Sequence, residues 1–375
     1  MKKKILFVTC TRADYGKLKS LIISVQKNDH FISRVFVSGM HNMKIYGSTY
    51  AAILNDKIKG IYRYSNQSKA LKKMDQVLIN TMRGFSSFLI RYKPDLVIVH
   101  GDRIEPLACA LSSILNNFLI AHIEGGEVSG TVDEMLRHSI SKISHVHLVS
   151  NKMAKKRLIQ MGESKKSIFE VGSPDVDLIL SKNLPKIKTA KKRYNIRFNK
   201  FSIAIIHPVT TNLSNLKKES KIFFSSLEKT NLNYIILFPN NDIGSEIILK
   251  EIYKLKGNKR FKIFPSVRFE YFLTFLKNSK FIIGNSSSGI MEAPYYGVST
   301  INIGNRQNNR LQTKLIKNIF FNGKQILKTV NKVKNRKITK RKFFGEGNSA
   351  KKIEKLLLSN KIWKIDKQKS FIDFL

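Results

Sequence analysis

Short apolar runs, each closed by a polar or glycine-rich turn and separated by a helix-length segment, repeat along almost the whole of this 375-residue chain. That alternation is what strands buried on both faces by crossover helices require, so it restricts the fold to α/β with parallel sheets. In the first half the runs are Ile5–Val8, Ser33–Val37, Leu96–Val99, Phe118–Ala121, Val146–Val149 and Ile168–Val171. In the second they are Ile203–Ile206, Tyr234–Phe238, Phe261–Ile263, Phe281–Ile283 and Thr300–Ile303. The chain is long for one core. Between the two sets, residues 183–200 are basic, contain Pro185 and show no strong periodicity. The expected architecture is two doubly wound, Rossmann-like domains facing each other across a cleft that holds a small molecule.

Composition removes several classes of function. A 42% hydrophobic content with 24 Phe argues against disorder. The formal charge of +42 is of the kind seen in proteins that contact nucleic acid or anionic membranes. Its lysines are scattered, however, with no zinc-finger spacing and no aromatic-rich RNA-binding signature, so solvated helix faces are the expectation and no nucleic-acid partner is assigned. Cys10 and Cys109 lack metal-site spacing and read as small buried hydrophobes. The start, Met1-Lys2-Lys3-Lys4, imitates a signal peptide, but the apolar run behind it stops at Thr9. No segment is long enough to span a bilayer, and a cytoplasmic location is the default expectation.

Candidate chemistry sits where the runs end, because ligands of open α/β sheets bind outside the carboxyl ends of the strands. Asp102 ends one very apolar run and Glu124 ends its expected neighbour, followed by Gly125 and Gly126, which leave the side chain approachable. Asp102 has a structural alternative as a helix cap, since Pro106 fits an early helical position. Asp133 and Arg137 share one helix face, so Arg137 either holds Asp133 ionised or grips a phosphate. Thr131 with Glu134 has capping-box spacing, which gives Glu134 a structural or secondary role. Arg12 and Lys17 follow the first strand, where a phosphate site is common, although no GxGxxG is present. His145 and His147 share a strand face but have no carboxylate close in sequence, so core or interface histidines are expected rather than a metal pair. His207 ends the first run of the second half and is placed to donate to phosphate or move a proton. In Gly284-Asn285-Ser286-Ser287-Ser288-Gly289, small residues leave amides and hydroxyls free to surround a diphosphate at a helix start, with Glu292 one turn further on for ribose hydroxyls.

In this order, the strings resemble those of the hydrolysing UDP-N-acetylglucosamine 2-epimerases of sialic acid biosynthesis. They begin with Thr11-Arg12-Ala13-Asp14-Tyr15, Ser38-Gly39-Met40-His41 and His100-Gly101-Asp102-Arg103, and continue through 122–131 and Arg137-His138. They end with His207-Pro208-Val209-Thr210-Thr211, Phe238-Pro239-Asn240, Gly284-Asn285-Ser286-Ser287, Arg306-Gln307 and Gly345-Glu346-Gly347-Asn348. The likeness implies the two-domain fold of nucleotide-sugar glycosyltransferases (GT-B). Residues 1–182 would carry the acid/base carboxylates, 183–358 would bind UDP, and 359–375 would return to the first domain. It implies conversion of UDP-N-acetylglucosamine and water to N-acetylmannosamine and UDP by way of a 2-acetamidoglucal. Asp102, Glu124 and Asp133 would take the acid/base roles, with Glu134 beside them. Arg12, Lys17, Arg137 and His207 would neutralise the departing diphosphate. Ser286, Ser287, Ser288, Gly289, Glu292, His41 and Arg306 would hold phosphate and sugar, and Phe272 would lie along the uracil. No cofactor and no metal are expected, because the reaction is redox-neutral, and a homo-oligomer (dimer or tetramer) is implied. Non-hydrolysing relatives carry a glutamate at the position of Asp133 and glycines at those of Ser287 and Ser288, which puts this chain with the hydrolysing branch. Three alternatives stand beside this reading. They are a sister enzyme acting on UDP-2,4-diacetamido-2,4,6-trideoxyglucose in the legionaminic acid route, a retaining glycosyltransferase of the same fold, and a basic nucleic-acid-binding protein.

Overall fold

The computed structural model describes residues 1–47, 49–67, 73–311, 313–335 and 338–373, and the chain divides into two compact units. The first comprises Met1–Glu127, Asp133–Ser181 and Phe344–Leu375, and the second Val128–Val132 and Lys182–Phe343.

The first unit carries β1 (Lys3–Thr9), β2 (Phe31–Val37), β3 (Ile61–Arg63), β4 (Leu96–His100), β5 (Leu119–Ile123), β6 (Val146–Val149) and β7 (Ile168–Glu170). They pair in the order β3-β2-β1-β4-β5-β6-β7, all parallel. Alternation along each strand sorts side chains to two cores. Ile5, Phe7, Leu96 and Ile98 face one side, against Leu18, Leu21, Ile22 and Val25 of the helix Arg12–Gln26. Leu6, Val8, Val97 and Val99 face the other, against Phe85, Phe88 and Leu89 of the helix Met74–Tyr92. Burial of a side chain of this size contributes about 2 kcal/mol, and because both faces are covered the strands read as continuous apolar runs.

The second unit carries β8 (Ser202–Ile205), β9 (Tyr234–Leu237), β10 (Phe261–Phe264), β11 (Phe281–Gly284), β12 (Ser299–Ile303) and β13 (Ile316–Ile319). Their order is β10-β9-β8-β11-β12-β13, again all parallel. Strand order reverses between β1 and β4 in one sheet and between β8 and β11 in the other, so each unit has its own ligand crevice at that point.

The chain rejoins the first unit at Phe344, ahead of residue 359, where the return was expected. Ala350, Ile353 and Leu357 of the helix Ser349–Leu358 lie in the core beside Leu18 and Ile22. Asp177 fixes the start of that helix by accepting the amide protons of Ser349 and Ala350, each at 2.8 Å. Among the described residues no helix is long and apolar enough to cross a membrane, and no cluster of three or more His, Cys, Asp or Glu could hold a metal.

Candidate active site

In the first unit, functional side chains gather at the carboxyl ends of β1, β4 and β5. Glu124 leaves β5 with a φ of +67°, a conformation that costs a non-glycine residue about 1–3 kcal/mol and that concentrates at functional sites. Its Oε1 accepts from Lys17 Nζ at 2.8 Å and Ser173 Oγ at 2.9 Å, and His100 Nε2 lies 3.4 Å away. All three groups are on one oxygen, which leaves Oε2 without a hydrogen-bond partner among the described residues. Burial by itself raises the carboxyl's pKa, but the charges of Lys17 and then His100 outweigh it and hold the group well below the usual carboxylate range.

Lys17 also faces Asp175, at 3.8 Å. Asp175 opens the short helix Asp175–Ile179 and is 1% exposed. Here burial is the larger effect, and the carboxyl is pushed above its ordinary value in spite of Lys17. One ammonium thus stands between two carboxyls whose proton affinities are driven apart. Lys17 is therefore their counter-charge before it can be a free cation for a phosphate.

Asp102 does not cap the following helix. Arg103 occupies the N-cap position, where its side chain makes no capping bond, and Pro106 sits in the first turn of Ile104–Leu115. Asp102 Oδ2 instead accepts from Arg137 Nη2. The guanidinium is 1% exposed and also donates to the Glu127 carbonyl at 3.2 Å. Burial would lower its pKa, but Asp102, Glu124, Glu127 and Asp133 together keep it raised. Arg137, expected to hold Asp133 ionised or to grip a phosphate, is thus a buried counter-ion among several carboxylates, with Asp102 bonded to it directly. Asp133 and Glu134 lie in the first turn of the helix Val132–Ile143, half-buried, with Glu134 Oε1 3.7 Å from His138.

Buried histidines brace these turns. His122 Nε2 donates to the Gly101 carbonyl at 2.8 Å and Nδ1 accepts from Ser141 at 3.0 Å, which fixes the turn that carries Asp102. Burial lowers its pKa to about 3, so it is neutral. His41, expected as a substrate contact, has no exposed surface. It donates to Thr9 Oγ1 at 3.0 Å, and Thr9 donates onward to Asp14 at 2.6 Å. Thr49 bonds its other nitrogen at 2.8 Å. Burial takes its pKa to about 4. It holds the end of β1, directly before Arg12, which is half-buried at the start of the next helix. His147 is committed to Glu163 at 2.8 Å, and His145 accepts the Ile120 amide proton at 3.1 Å.

In the second unit, β8 and β11 are tied at their carboxyl ends by a reciprocal pair. The His207 amide donates to Asn285 Oδ1 at 2.7 Å, and Asn285 Nδ2 donates to the His207 carbonyl at 2.9 Å. His207 Nδ1 accepts from the Asn240 amide at 3.0 Å, which puts the ring proton on Nε2. Arg306 Nη1 and Gln307 Nε2 donate to the Asn285 carbonyl at 3.3 and 2.9 Å. Gly284 has φ +133°, and a Cβ there would lie 1.8 Å from the Ile205 carbonyl oxygen, so no other residue fits.

Ser286, Ser287 and Ser288 are half-buried around this turn, and Gly289 is packed against Thr300. The helix they open is short. It breaks at Glu292 into Ser288–Met291 and Ala293–Tyr296, each of four residues, so amides and hydroxyls rather than a long macrodipole must serve an anion. Glu292 is 3% exposed. Phe272, expected along a uracil, is buried in the helix Phe269–Asn278 with its ring parallel to that of Phe269, which makes it a core side chain.

Residues 23–358 match the sequence profile of the family described as UDP-N-acetylglucosamine 2-epimerase. A protein of Neisseria meningitidis serogroup B, named UDP-N-acetylglucosamine 2-epimerase, is 42% identical over 99% of both chains. A Legionella pneumophila protein, named UDP-N,N'-diacetylbacillosamine 2-epimerase (hydrolyzing), is 33% identical over 95% of this chain and 96% of its own. Among solved structures, UDP-GlcNAc 2-epimerase from Neisseria meningitidis bound to UDP-GlcNAc superposes with a TM-score of 0.80 at 20% identity. That match covers 95% of this chain and 99% of that one, and supports the two-unit GT-B-like fold.

Proposed function

The chain belongs to the UDP-N-acetylglucosamine 2-epimerase family, and we propose that it hydrolyses as it epimerises, taking UDP-N-acetylglucosamine and water to N-acetylmannosamine and UDP. In this reading a carboxylate removes the proton from C2 while the C1–O bond to UDP breaks, leaving a C1=C2 double bond in 2-acetamidoglucal. Water then adds its oxygen at C1 as it gives up a proton to a carboxylate, and a carboxylic acid protonates C2 from the opposite face. Asp102, Glu124 and Asp133 share these proton transfers. His207, Arg306 and the hydroxyls of Ser286, Ser287 and Ser288 serve the departing diphosphate, with Arg12 at the first strand turn. Glu292 serves the ribose.

The observation that carries the reading is Glu124. One of its oxygens is anchored by Lys17 and Ser173 while the other has no hydrogen-bond partner among the described residues, and its charge is maintained although it is buried. A base for carbon acids needs that combination of fixed orientation and an accessible lone pair. The test is incubation with UDP-N-acetylglucosamine in heavy water, followed by NMR of the products. Free N-acetylmannosamine carrying deuterium at C2, formed with one UDP per turnover, is the expected result. Deuterium incorporation without UDP release would replace hydrolysis by reversible epimerisation. Glu124→Gln should lower kcat at least about 100-fold while UDP affinity by calorimetry stays unchanged. Supply of N-acetylmannosamine to sialic acid biosynthesis is the role that fits this product.

A second reading is supported by the Legionella relative, whose name specifies a diacetylated trideoxy sugar. A pocket that hydrogen-bonds the C4 and C6 hydroxyls rejects a deoxy analogue strongly, whereas an apolar one discriminates weakly. Parallel incubation with both UDP-sugars separates the two readings by kcat/KM.

A further inference from the structure

Glu124 has a buried companion that the proposed reaction leaves unused. Asp175 lies 3.8 Å from Lys17 Nζ, while Glu124 holds the same nitrogen at 2.8 Å. The groups facing Asp175 come from four elements: Lys17 of the helix Arg12–Gln26, His100 at the end of β4, Glu124 after β5, and Asp177 on its own short helix. Lys17 is 8% exposed, Glu124 8%, His100 6% and Asp175 1%. One ammonium cannot neutralise two ionised carboxylates in so buried a volume, and one retained proton, on a carboxyl or on His100, removes the excess charge.

Geometry decides which carboxyl keeps that proton. Glu124 Oε1 accepts two hydrogen bonds at 2.8 and 2.9 Å. Among the described residues neither oxygen of Asp175 has a hydrogen bond, and the Ser173 hydroxyl proton is already directed at Glu124. We propose that Asp175 is a positioning residue for proton transfer: it retains a proton against Lys17, cedes the ammonium charge to Glu124, and so sets how strong a base Glu124 is. When Asp175 ionises as pH rises, the added negative charge competes for Lys17 and makes Glu124 more basic. The two carboxyls then titrate as a coupled pair with two macroscopic steps. This inference rests on the reading of Glu124 as a base, but the protonation of Asp175 can be measured without turnover.

The experiment compares infrared spectra of protein carrying carboxyl-labelled [13C]aspartate with unlabelled protein over a pH series, for the wild type and for Asp175→Asn. A protonated aspartic acid carbonyl band that shifts with the label, persists above the pH range of ordinary carboxyls and vanishes in Asp175→Asn is the expected result. Its absence from the labelled wild type overturns the proposal, whether or not the variant folds. In the kinetic arm, Asp175→Asn removes one step from the pH profile of kcat and lowers kcat about three- to tenfold on the alkaline side, where one pKa unit is a tenfold change in proton affinity. KM is unchanged, and Asp175→Glu restores the step. A profile for Asp175→Asn that parallels the wild type overturns the proposal. If the wild type fails to release UDP, the proposed reaction falls while the infrared result still decides the state of Asp175.

Discussion

At the scale of single residues, burial has set the charge states. His41 and His122 are sealed neutral, with pKa values lowered to about 4 and about 3, and Glu163 is kept ionised down to about 2 by His147 and Lys369 in spite of its burial. All three folded values lie below the unfolded ones. Their stabilisation is complete above the unfolded pKa and is lost as pH falls through the folded one. The protein should therefore lose stability from about pH 6.5 downward through the histidines, and more steeply below about 4.5 as Glu163 joins them. Urea denaturation across that range measures the loss, and Glu163→Gln should flatten only the lower part of the curve. Asp102 and Glu124 were legible in the sequence because each closes an apolar run. The roles of Asp175 and His100 were not, since Lys17 and Glu124, the groups around which they gather, are 107 positions apart. The only local sign of Asp175 was the turn Gly172-Ser173-Pro174 immediately before it.

Among elements, the two strands that sequence reading missed are both at sheet edges. β3 is three residues long and partly exposed, and β13 buries only its terminal isoleucines, Ile316 and Ile319. An edge strand is covered on fewer sides, so its apolar pattern is diluted. In β5 the polar His122 ends the apolar run at Ala121, yet the strand continues to Ile123 with the histidine fully buried. Central strands and their turns were plain, and one of those turns admits a sharp test. Gly284→Ala would place a methyl within 1.8 Å of a backbone oxygen at an unfavourable φ, and would part β8 from β11 at the point where His207 and Asn285 hold them together. A loss of at least about 3 kcal/mol is expected from denaturant unfolding, with UDP affinity lost alongside. A loss below about 1 kcal/mol would mean that the turn relaxes freely.

For the molecule as a whole, the charge of +42 attracts any anionic substrate from a distance. Screening shortens that reach to about 3 Å at 1 M salt from about 30 Å at 0.01 M. Thus kcat/KM for a UDP-sugar should fall severalfold between those salt concentrations while kcat holds, and a flat response would show that the lysines exert no net field at the site. What the sequence determined by itself was the pair of parallel sheets, the turns at which they bind ligands, and the residue types placed there. These follow from periodicity and turn chemistry, which act over a few neighbouring residues. What only the tertiary structure decided was which charges meet. Arg137 goes to Asp102, Lys17 lies between Glu124 and Asp175, and the last long helix joins the first unit. Protonation depends on burial and on charges summed over all spatial neighbours, and no stretch of sequence contains those neighbours together.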